Sequence, residues 1–313
     1  MHDRAPAGSG CIDTILVTGA RGQLGVELCR SLSLLGRVVA VARDTCDLAS
    51  ADQIVATMHS VKPRVVINAG GYTAVDAAET EVDAAHAINA VAPGLLATEA
   101  KALGSLMVHY STDYVFDGSS ETPYTEEDAT LPLSVYGRSK LDGEMAVRDA
   151  GADYWVFRTS WLFGLQGGNF LKSIARAALT RPSLSVVADQ VGAPTPAALL
   201  ADVTSLAVRG YLNEASPMPA GVYNVAAQGE TSWYGYARYI IEALDRSGVQ
   251  LAVTPEAIRP IAAIEYGSAA ARPANSRLDT SKLRAALGIE LPDWREGVDR
   301  VIAQIVEGRR VLD

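Results

Sequence analysis

The sequence predicts an α/β fold: a doubly wound parallel sheet of the Rossmann type, followed by a smaller C-terminal lobe. Short β-branched apolar segments alternate with helical segments through about residue 160, as in parallel strands joined by crossover helices. A glycine-rich turn joins the first strand to the first helix, and glycines and prolines become denser beyond Gly164. We therefore expect two unequal halves of different architecture.

The length of 313 residues suits one large domain or two unequal ones, because a single core rarely exceeds roughly 250–300 residues. We assign residues 12–164 to the first domain and residues 165–313 mostly to the second lobe. Segments within about 190–230 should return to the first domain, and residues 221–225 are the best candidate for a returning strand. Residues 1–11 are small and polar, and we predict a disordered leader that is not a secretory signal.

Charge and composition exclude several classes of function. The net charge of −9 argues against nucleic-acid binding, which usually needs a basic surface. No apolar segment approaches the ~20 residues of a membrane-spanning helix. The 3 cysteines and 4 histidines form no disulfide framework and no metal-ligand spacing, so we expect a cytoplasmic protein without a metal. An anionic small substrate would need local arginines and helix N-termini.

The first strand-turn-helix unit indicates a dinucleotide site. Residues 14–18 are β-branched and apolar, a GxxGxxG turn begins at Gly19, and leucines at helical spacing follow. Such a turn lets a pyrophosphate approach a helix N-terminus. The spacing differs from GxGxxG, and glycine turns join strands to helices in many proteins. Its place after the first strand favours cofactor contacts at Gly19, Gly22, Gln23 and Leu24.

The end of the second strand, residues 38–42, is where the adenosine ribose of a dinucleotide is read. Arg43 follows this strand and suits a 2′-phosphate, so we expect NADPH as cofactor. Asp44 weakens that preference and leaves NADH possible, and Arg43 could also be a solvated surface residue. Further cofactor contacts are assigned to Asp47, Leu48, Ala69, Gly70, Tyr72 and Asn89.

A tyrosine and a lysine indicate proton chemistry. Tyr136 and Lys140 lie four residues apart on a predicted helix, so their side chains share one face. The phenol can exchange a proton, and the ammonium can lower the pKa of the phenol. Thr112 marks the end of a strand upstream. An ordinary surface pair is the alternative, and the position of the motif in a dinucleotide-type sheet argues against it.

These features together resemble the short-chain dehydrogenase/reductase superfamily in its extended form, which has a C-terminal substrate lobe. From Ile12 onward the chain is similar to the dTDP-4-dehydrorhamnose reductase family. A departure is Gly71, where that family commonly has alanine. The similarity rests on residues 22–25, 72–76, 111–118, 158–161, 189–195 and 272–276.

The resemblance implies NADPH-dependent reduction of the 4-keto group of a dTDP-linked sugar. Tyr136 would be the proton donor, and Lys140 would lower its pKa and hydrogen-bond the nicotinamide ribose. Thr112 would hold the ketone oxygen, with Ser111 as the alternative. Related dehydratases have a glutamate where this chain has Tyr114. The resemblance therefore favours reduction over dehydration.

The resemblance also assigns substrate contacts. Asp113 and Tyr114 would contact the sugar, and Trp161 would pack against its ring unless it merely fills the core. Arg272 is the candidate for the diphosphate, with a surface salt bridge as the alternative. Asn169 precedes a helix whose N-terminus could meet phosphate.

Other interpretations remain open at this stage. Another nucleotide-sugar 4-ketoreductase or 4-epimerase could use the same scaffold. A non-catalytic NADP-binding regulatory subunit also belongs to this family, although the intact Thr112, Tyr136 and Lys140 argue against it. The expected partner is a nucleotide-sugar substrate, with no nucleic acid and no membrane, and a homodimer is possible.

Overall fold

The computed structural model describes residues 12–214 and 218–308, so the predicted leader, residues 1–11, lies outside the described residues. The strands in chain order are β1 (Thr14–Thr18), β2 (Arg37–Ala40), β3 (Val65–Asn68), β4 (Leu106–Thr112), β5 (Asp153–Thr159), β6 (Leu162–Phe163), β7 (Leu184–Val187), β8 (Val191–Gly192), β9 (Thr195–Pro196), β10 (Gly221–Asn224), β11 (Thr231–Ser232) and β12 (Ile258–Ile261).

The helices in chain order are α1 (Gln23–Leu32), α2 (Ala51–Val61), α3 (Val75–Ala78), α4 (Val82–His86), α5 (Ala92–Leu103), α6 (Val135–Ala150), α7 (Phe170–Thr180), α8 (Ala197–Leu212), α9 (Trp233–Arg246), α10 (Ala263–Tyr266), α11 (Ser281–Leu287) and α12 (Trp294–Glu307). A π-helical segment, Ala87–Val91, connects α4 to α5, and 3₁₀ turns occur at Asp113–Val115 and Pro255–Ala257. Within the described parts of the chain, no helix is both long and apolar enough to cross a membrane.

Six strands form the predicted parallel sheet, in the order β10-β5-β4-β3-β1-β2. β3 and β4 are buried along their whole length, as expected when helices cover both faces of a sheet. From β1 the chain first adds β2 on one side and then β3 on the other. Such a switch in direction opens a crevice at the carboxyl ends of the strands, where ligands of this fold class bind.

Local sequence signals explain how the flanking helices begin. Ser50 caps α2, and its hydroxyl accepts a hydrogen bond from the Gln53 N–H at 3.4 Å. Ser134 caps α6 in the same way, accepting from the Gly137 N–H at 3.1 Å. This cap fixes where α6 starts, and therefore where Tyr136 lies relative to the sheet.

The helical stretch from residue 82 to residue 103 contains an irregularity that its apolar periodicity does not indicate. It consists of α4, the π-helical segment and α5 in direct succession. The π segment carries Asn89, whose side chain is fully buried. Such segments occur mostly as single turns within α-helices and frequently at functional sites.

Two hydrophobic cores divide the chain. The first consists of a cluster on each face of the sheet, with Leu28 of α1 and Leu200 of α8 on one face and Leu96 of α5 on the other. The other lies among α7, α9 and α12 and includes Tyr236 and Trp294. The strand predicted at residues 221–225 forms as β10 and pairs with β5, so the chain returns to the sheet after leaving it for the second core.

Candidate active site

Buried polar side chains set the register of the strand ends that carry the site. The Thr18 hydroxyl donates to Asn68 Oδ1 at 2.6 Å, and Asn68 Nδ2 lies 3.2 Å from His109 Nδ1. Burial, reinforced by the charge of Lys140, lowers the pKa of His109 well below its usual value. His109 is therefore neutral at physiological pH, and these three residues tie β1, β3 and β4 together below the crevice.

The glycine turn after β1 has the features of a dinucleotide cradle. Gly19 has a φ of 63°, and a Cβ there would lie 2.6 Å from the backbone of Gly70. α1 begins after Gly22 without a side-chain cap or an acidic residue in its first turn. Its first N–H groups therefore remain available to an anion. This backbone fits the pyrophosphate of a dinucleotide.

Gln23 and Leu24 begin α1 and have different roles. The Leu24 side chain packs into the core, which leaves only its backbone near the turn. Gln23 Nε2 donates to the Leu162 carbonyl at 3.1 Å, and Gln23 Oε1 accepts from Asn169 Nδ2 at 2.7 Å. Asn169 also caps α7 by accepting from the Lys172 N–H at 3.0 Å. The structure therefore holds Asn169 against the start of α1.

The expected adenosine end of the site is open and contains two arginines. Arg43 is exposed. Asp44 forms an ion pair of 2.8 Å with Arg21, and both side chains are exposed. Asp44 weakened the prediction of a 2′-phosphate, and here its charge is paired with that of Arg21. The sequence did not indicate this second arginine at the adenosine end of the site.

Small residues and one leucine shape the crevice between β1 and β3. The Leu48 side chain occupies the space where a Cβ on Gly70 would lie, and the backbone of Ala69 lies beneath Gly19. Asp47 Oδ1 accepts from the Ala49 N–H at 3.0 Å, which orders the loop that carries Leu48. These contacts bring the predicted residues together around the glycine turn.

Asn89 joins the β3 loop to the helix that carries the tyrosine and lysine. Its Oδ1 accepts from the Tyr72 N–H at 2.8 Å, and its Nδ2 donates to the Tyr72 carbonyl and to Ser139 Oγ, each at 3.0 Å. A Cβ at Gly71 would lie 3.3 Å from Asn89 Oδ1, so alanine there would be a close fit. Asn89 has no free side-chain donor in this arrangement, and it positions its neighbours.

The three predicted catalytic residues meet at the carboxyl end of β4. Thr112 is the last residue of β4 and only 5% exposed, and Lys140 is 6% exposed. Lys140 Nζ donates to the Tyr110 carbonyl at 2.5 Å. The Thr112 hydroxyl faces the Tyr136 phenol and favours its ionised form. The proton donor and the hydroxyl are thus adjacent at the strand end, and the cation contacts the same strand two residues earlier.

The pKa of Tyr136 is set by its surroundings. Burial raises the pKa of Tyr136 to about 12, the Thr112 hydroxyl opposes this, and the charge of Asp113 adds to it. Lys140 is not among the groups that shift this pKa here, since its ammonium donates to the Tyr110 carbonyl, so its predicted effect on Tyr136 stays a prediction. Burial lowers the pKa of Lys140 to about 8, against the influence of Glu144. At neutral pH, Tyr136 holds its proton and Lys140 is mostly charged.

Asp113 and Tyr114 follow Thr112 directly. Asp113 is 2% exposed, and its Oδ1 accepts from the Thr112 hydroxyl at 3.0 Å. Burial raises the pKa of Asp113 to about 7, against the opposing effects of the Ser276 and Thr112 hydroxyls. The Tyr114 and Tyr136 rings pack edge to face, with centroids 5.6 Å apart. Burial also raises the pKa of Tyr114 well above its usual value, so it is not a base at neutral pH.

Arg272 lies beside this cluster with an acidic partner. Its Nη2 donates to Asp76 at 2.8 Å, and its side chain is 21% exposed. It also influences Tyr114 through a side-chain hydrogen bond. Asp76 accepts from the Ala270 N–H at 3.0 Å. Arg272 thus forms the salt bridge that was the alternative to diphosphate binding. Its guanidinium also lies next to Tyr114, close to the end of β4.

Trp161 has an unusual backbone and little free ring surface. Its φ is 47°, a left-handed conformation that is rare for a bulky residue and is often found at functional sites. Its ring stacks on Trp233 with centroids 3.6 Å apart, and a Cβ on Gly192 would lie 2.7 Å from it. Since Trp233 covers one face and Gly192 meets its edge, Trp161 is fixed in place.

Sequence reasoning missed several residues of this cluster. Asp76 lies in the segment 72–76 that supported the resemblance, but nothing in the pattern indicated that it holds Arg272. Trp233 lies 72 positions beyond Trp161, so their stacking was not predictable from local spacing. Asp189 lies in the segment 189–195 that supported the resemblance, and its carboxylate accepts from the Ala263 N–H at 2.8 Å, a contact with a distant part of the sequence.

Comparisons with known proteins agree with this architecture. Residues 13–307 match the family model described as RmlD substrate binding domain. A dTDP-4-dehydrorhamnose reductase of Burkholderia thailandensis is 45% identical over 294 residues, which is 93% of this chain and 99% of that protein. The corresponding reductase of Escherichia coli strain K12 is 42% identical over 295 residues, covering 93% and 97% of the two chains.

Solved structures give the same result. A dTDP-4-dehydrorhamnose reductase of Bacillus anthracis in complex with NADP has a TM-score of 0.84 at 32% identity, covering 94% of this chain and 100% of the other. An ortholog from Clostridium acetobutylicum has a TM-score of 0.84 at 34% identity, covering 93% and 99%. The chain therefore belongs to the dTDP-4-dehydrorhamnose reductase family of NAD(P)H-dependent oxidoreductases.

Proposed function

We propose that this chain reduces the 4-keto group of dTDP-4-dehydro-β-L-rhamnose with NADPH and forms dTDP-L-rhamnose. The observation that carries the proposal is a protonated phenol, Tyr136, that lies beside the Thr112 hydroxyl and one helical turn before the buried Lys140. The named relatives support the choice of substrate. NADPH is the proposed cofactor, with NADH as a substitute, because one relative was solved with NADP and Arg43 and Arg21 are near the expected ribose position.

The residues near the end of β4 would each have a separate role in proton transfer to the ketone oxygen. When bound, the reduced nicotinamide supplies a hydride to the ketone carbon. Negative charge then develops on the ketone oxygen, and Tyr136 neutralises it by transferring its phenolic proton. Thr112 would donate a hydrogen bond to the same oxygen. Lys140 would orient the nicotinamide ribose, and its charge would stabilise the phenolate until solvent returns the proton.

The cofactor would lie along the carboxyl ends of β1 and β3. The N–H groups at the start of α1 would hold its pyrophosphate, and Gly19 and Gly70 would allow the backbone to approach it closely. Asn89 would act indirectly, by fixing the loop at Tyr72. The remaining assigned contacts, at Gly22, Gln23, Leu24, Asp47, Leu48 and Ala69, surround the same turn.

The sugar nucleotide would lie over the residues that follow Thr112. Asp113 and Tyr114 would contact the sugar, and the exposed part of Trp161 would meet its ring. Arg272 would exchange Asp76 for the diphosphate, since its fork binds either anion. Asn169 would act through the N-terminus of α7, next to the glycine turn.

Two features of this site support reduction over the alternatives. Tyr114 keeps its proton at neutral pH, because burial raises its pKa, and so cannot remove a proton beside the ketone as a dehydratase requires. Thr112, Tyr136 and Lys140 are assembled at one strand end, an arrangement that a regulatory subunit would not need. We also propose that residues 12–164, with the returning β10, form the cofactor half, and that residues 165–313 mostly form the substrate half.

Purified protein with the dTDP-4-keto sugar and NADPH tests the proposal. We expect one NADPH to be oxidised for each sugar reduced, measured by the loss of NADPH absorbance and by chromatography of the product. Sugar conversion without net NADPH loss would identify an epimerase. If NADPH binds but neither compound changes, the chain would be a binding subunit and the proposal would be wrong.

A further inference from the structure

The hydroxyl of Thr112 can donate only one hydrogen bond, and the structure shows where it goes. Its proton points to Asp113 Oδ1 at 3.0 Å, while its oxygen accepts from the Tyr114 N–H at 3.2 Å. A threonine hydroxyl has one proton and two acceptor sites. The Tyr136 phenol also lies against this hydroxyl. While the proton points to Asp113, Thr112 has no donor left for the phenol or for a ketone oxygen.

The protonation state of Asp113 decides whether that arrangement persists. A carboxylate can only accept, so it holds the Thr112 proton. A protonated carboxyl group can donate to Thr112 Oγ1 instead, which then accepts from both Asp113 and the Tyr114 N–H. Both acceptor sites of Thr112 are then filled, and its own proton is free to point elsewhere.

We propose that Asp113 is a positioning residue that switches the Thr112 hydroxyl between donating to the carboxylate and donating to the substrate's ketone oxygen. The inference rests on the proposed function, and it assigns Asp113 a role distinct from contact with the sugar. Asp113 Oδ2 is buried and forms no hydrogen bond of regular geometry within residues 12–214 and 218–308, although the Ser276 hydroxyl lies close enough to lower the pKa of this carboxyl group. That oxygen remains available to a sugar hydroxyl while Oδ1 controls Thr112.

The neighbours of Asp113 leave it as the group that titrates close to neutrality. Burial raises the pKa of Asp113 to about 7. Tyr136 from α6 and Tyr114 both face it, and burial raises the pKa of each phenol well out of the neutral range. Arg272 reaches Tyr114 from the loop after α10 and is paired with Asp76. Lys140, with a pKa of about 8, is the nearest other titrating group.

The test compares wild type with Thr112→Val at pH values on either side of 7. The measured quantity is the ratio of kcat/KM for the two proteins, in which effects of Lys140 and of substrate ionisation cancel because both proteins share them. Below about pH 7 the ratio should be about 10²–10³, the usual effect of one lost oxyanion donor. It should fall towards about 1 well above pH 7, where ionised Asp113 already withholds the donor.

Asp113→Asn is the matched variant, because its amide group can donate permanently to Thr112. In that background the Thr112→Val ratio should stay constant with pH. Thr112→Ser retains the hydroxyl and should follow the wild-type profile, and NADPH binding checks that each variant is folded. A wild-type ratio that does not change with pH would overturn the switch, as would an equal change in the Asp113→Asn background. Failure of wild type to oxidise NADPH would instead refute the proposed function.

Discussion

α6 carries two buried ionisable groups one turn apart, and they contrast in how they are paired. Lys140 is 6% exposed and donates to a neutral carbonyl, that of Tyr110. Glu144 is 5% exposed and forms a bidentate pair with Arg158, at 2.9 and 2.7 Å. Burial lowers the pKa of Lys140 to about 8. A buried charge that is paired with an opposite charge, such as Glu144, stabilises the fold. A buried charge without an opposite charge, such as Lys140, has a pKa shifted towards neutrality, as catalytic groups often do.

The largest effect on activity should come from Tyr136, which lies one turn before the unpaired Lys140 on α6. Tyr136→Phe removes the proton donor and should reduce kcat by about 10²–10⁴, while the Kd for NADPH changes little because the glycine turn is intact. Stopped-flow kinetics and fluorescence titration measure the two quantities. Tyr239→Phe is the control, since that phenol donates to Asp299 at 2.9 Å at the exposed edge of the second core. Normal turnover by Tyr136→Phe would mean that another group supplies the proton.

A change in the Glu144–Arg158 pair should lower the stability of the protein. Glu144→Ala leaves Arg158 buried without its carboxylate and should lower the free energy of unfolding by about 3–5 kcal/mol. Replacing both residues by apolar ones of similar volume should recover much of this loss. Urea unfolding gives the values, and Asp202→Ala, which breaks the exposed pair with Arg30, should change stability by about 0–1 kcal/mol. A similar small effect for Glu144→Ala would show that the buried pair is not structural.

Unlike Glu144, Lys140 should lower the stability of the folded protein at neutral pH. Its folded-state pKa of about 8 lies below the reference value of 10.5, so between these pH values the folded protein binds fewer protons than the unfolded protein. Stability should therefore rise with pH across this window. Lys140→Met should remove that rise and be more stable than wild type at neutral pH, although inactive. Unfolding free energies of both proteins over this pH range provide the measurement, and a Lys140→Met protein less stable than wild type would contradict this view.

The smallest effect on stability should come from the ion pair of Arg272 and Asp76, which is partly exposed. Arg272 and Asp76 are 21% and 48% exposed, so Arg272→Gln should change the free energy of unfolding by less than about 1 kcal/mol. If Arg272 binds the diphosphate, the KM for the sugar nucleotide should rise about tenfold, since a charge-assisted hydrogen bond is lost. The KM for NADPH serves as the internal control. An unchanged sugar-nucleotide KM would leave Arg272 with only its salt bridge.

The sequence predicted the parts of the molecule that depend on local pattern. Periodicity and short motifs predicted the parallel sheet, the strand at residues 221–225 and the grouping of Thr112, Tyr136 and Lys140. The features that it missed depend on contacts between distant segments or on desolvation. Trp233 on Trp161, Asp76 on Arg272 and the raised pKa of Tyr136 are of this kind.

The π-helical segment at Asn89 belongs to the same group. A helical pattern of apolar residues continues through it, so the sequence alone indicates one helix. The extra residue in that turn is stabilised by hydrogen bonds to the backbone of Tyr72 and to Ser139 Oγ. Both partners lie on other segments of the chain.

The transfer of label from NADPH carrying two deuterium atoms at nicotinamide C4 tests the central claim most directly, because either face of the ring then delivers deuterium. With the dTDP-4-keto sugar, the account predicts one deuterium at C4 of the product sugar, detected by mass spectrometry and NMR, and one oxidised cofactor for each product. Tyr136→Phe should bind the labelled cofactor and form the product far more slowly. Retention of all the label in NADPH, or an unlabelled sugar product, would contradict the account of Tyr136, Lys140 and Thr112 as a reducing site.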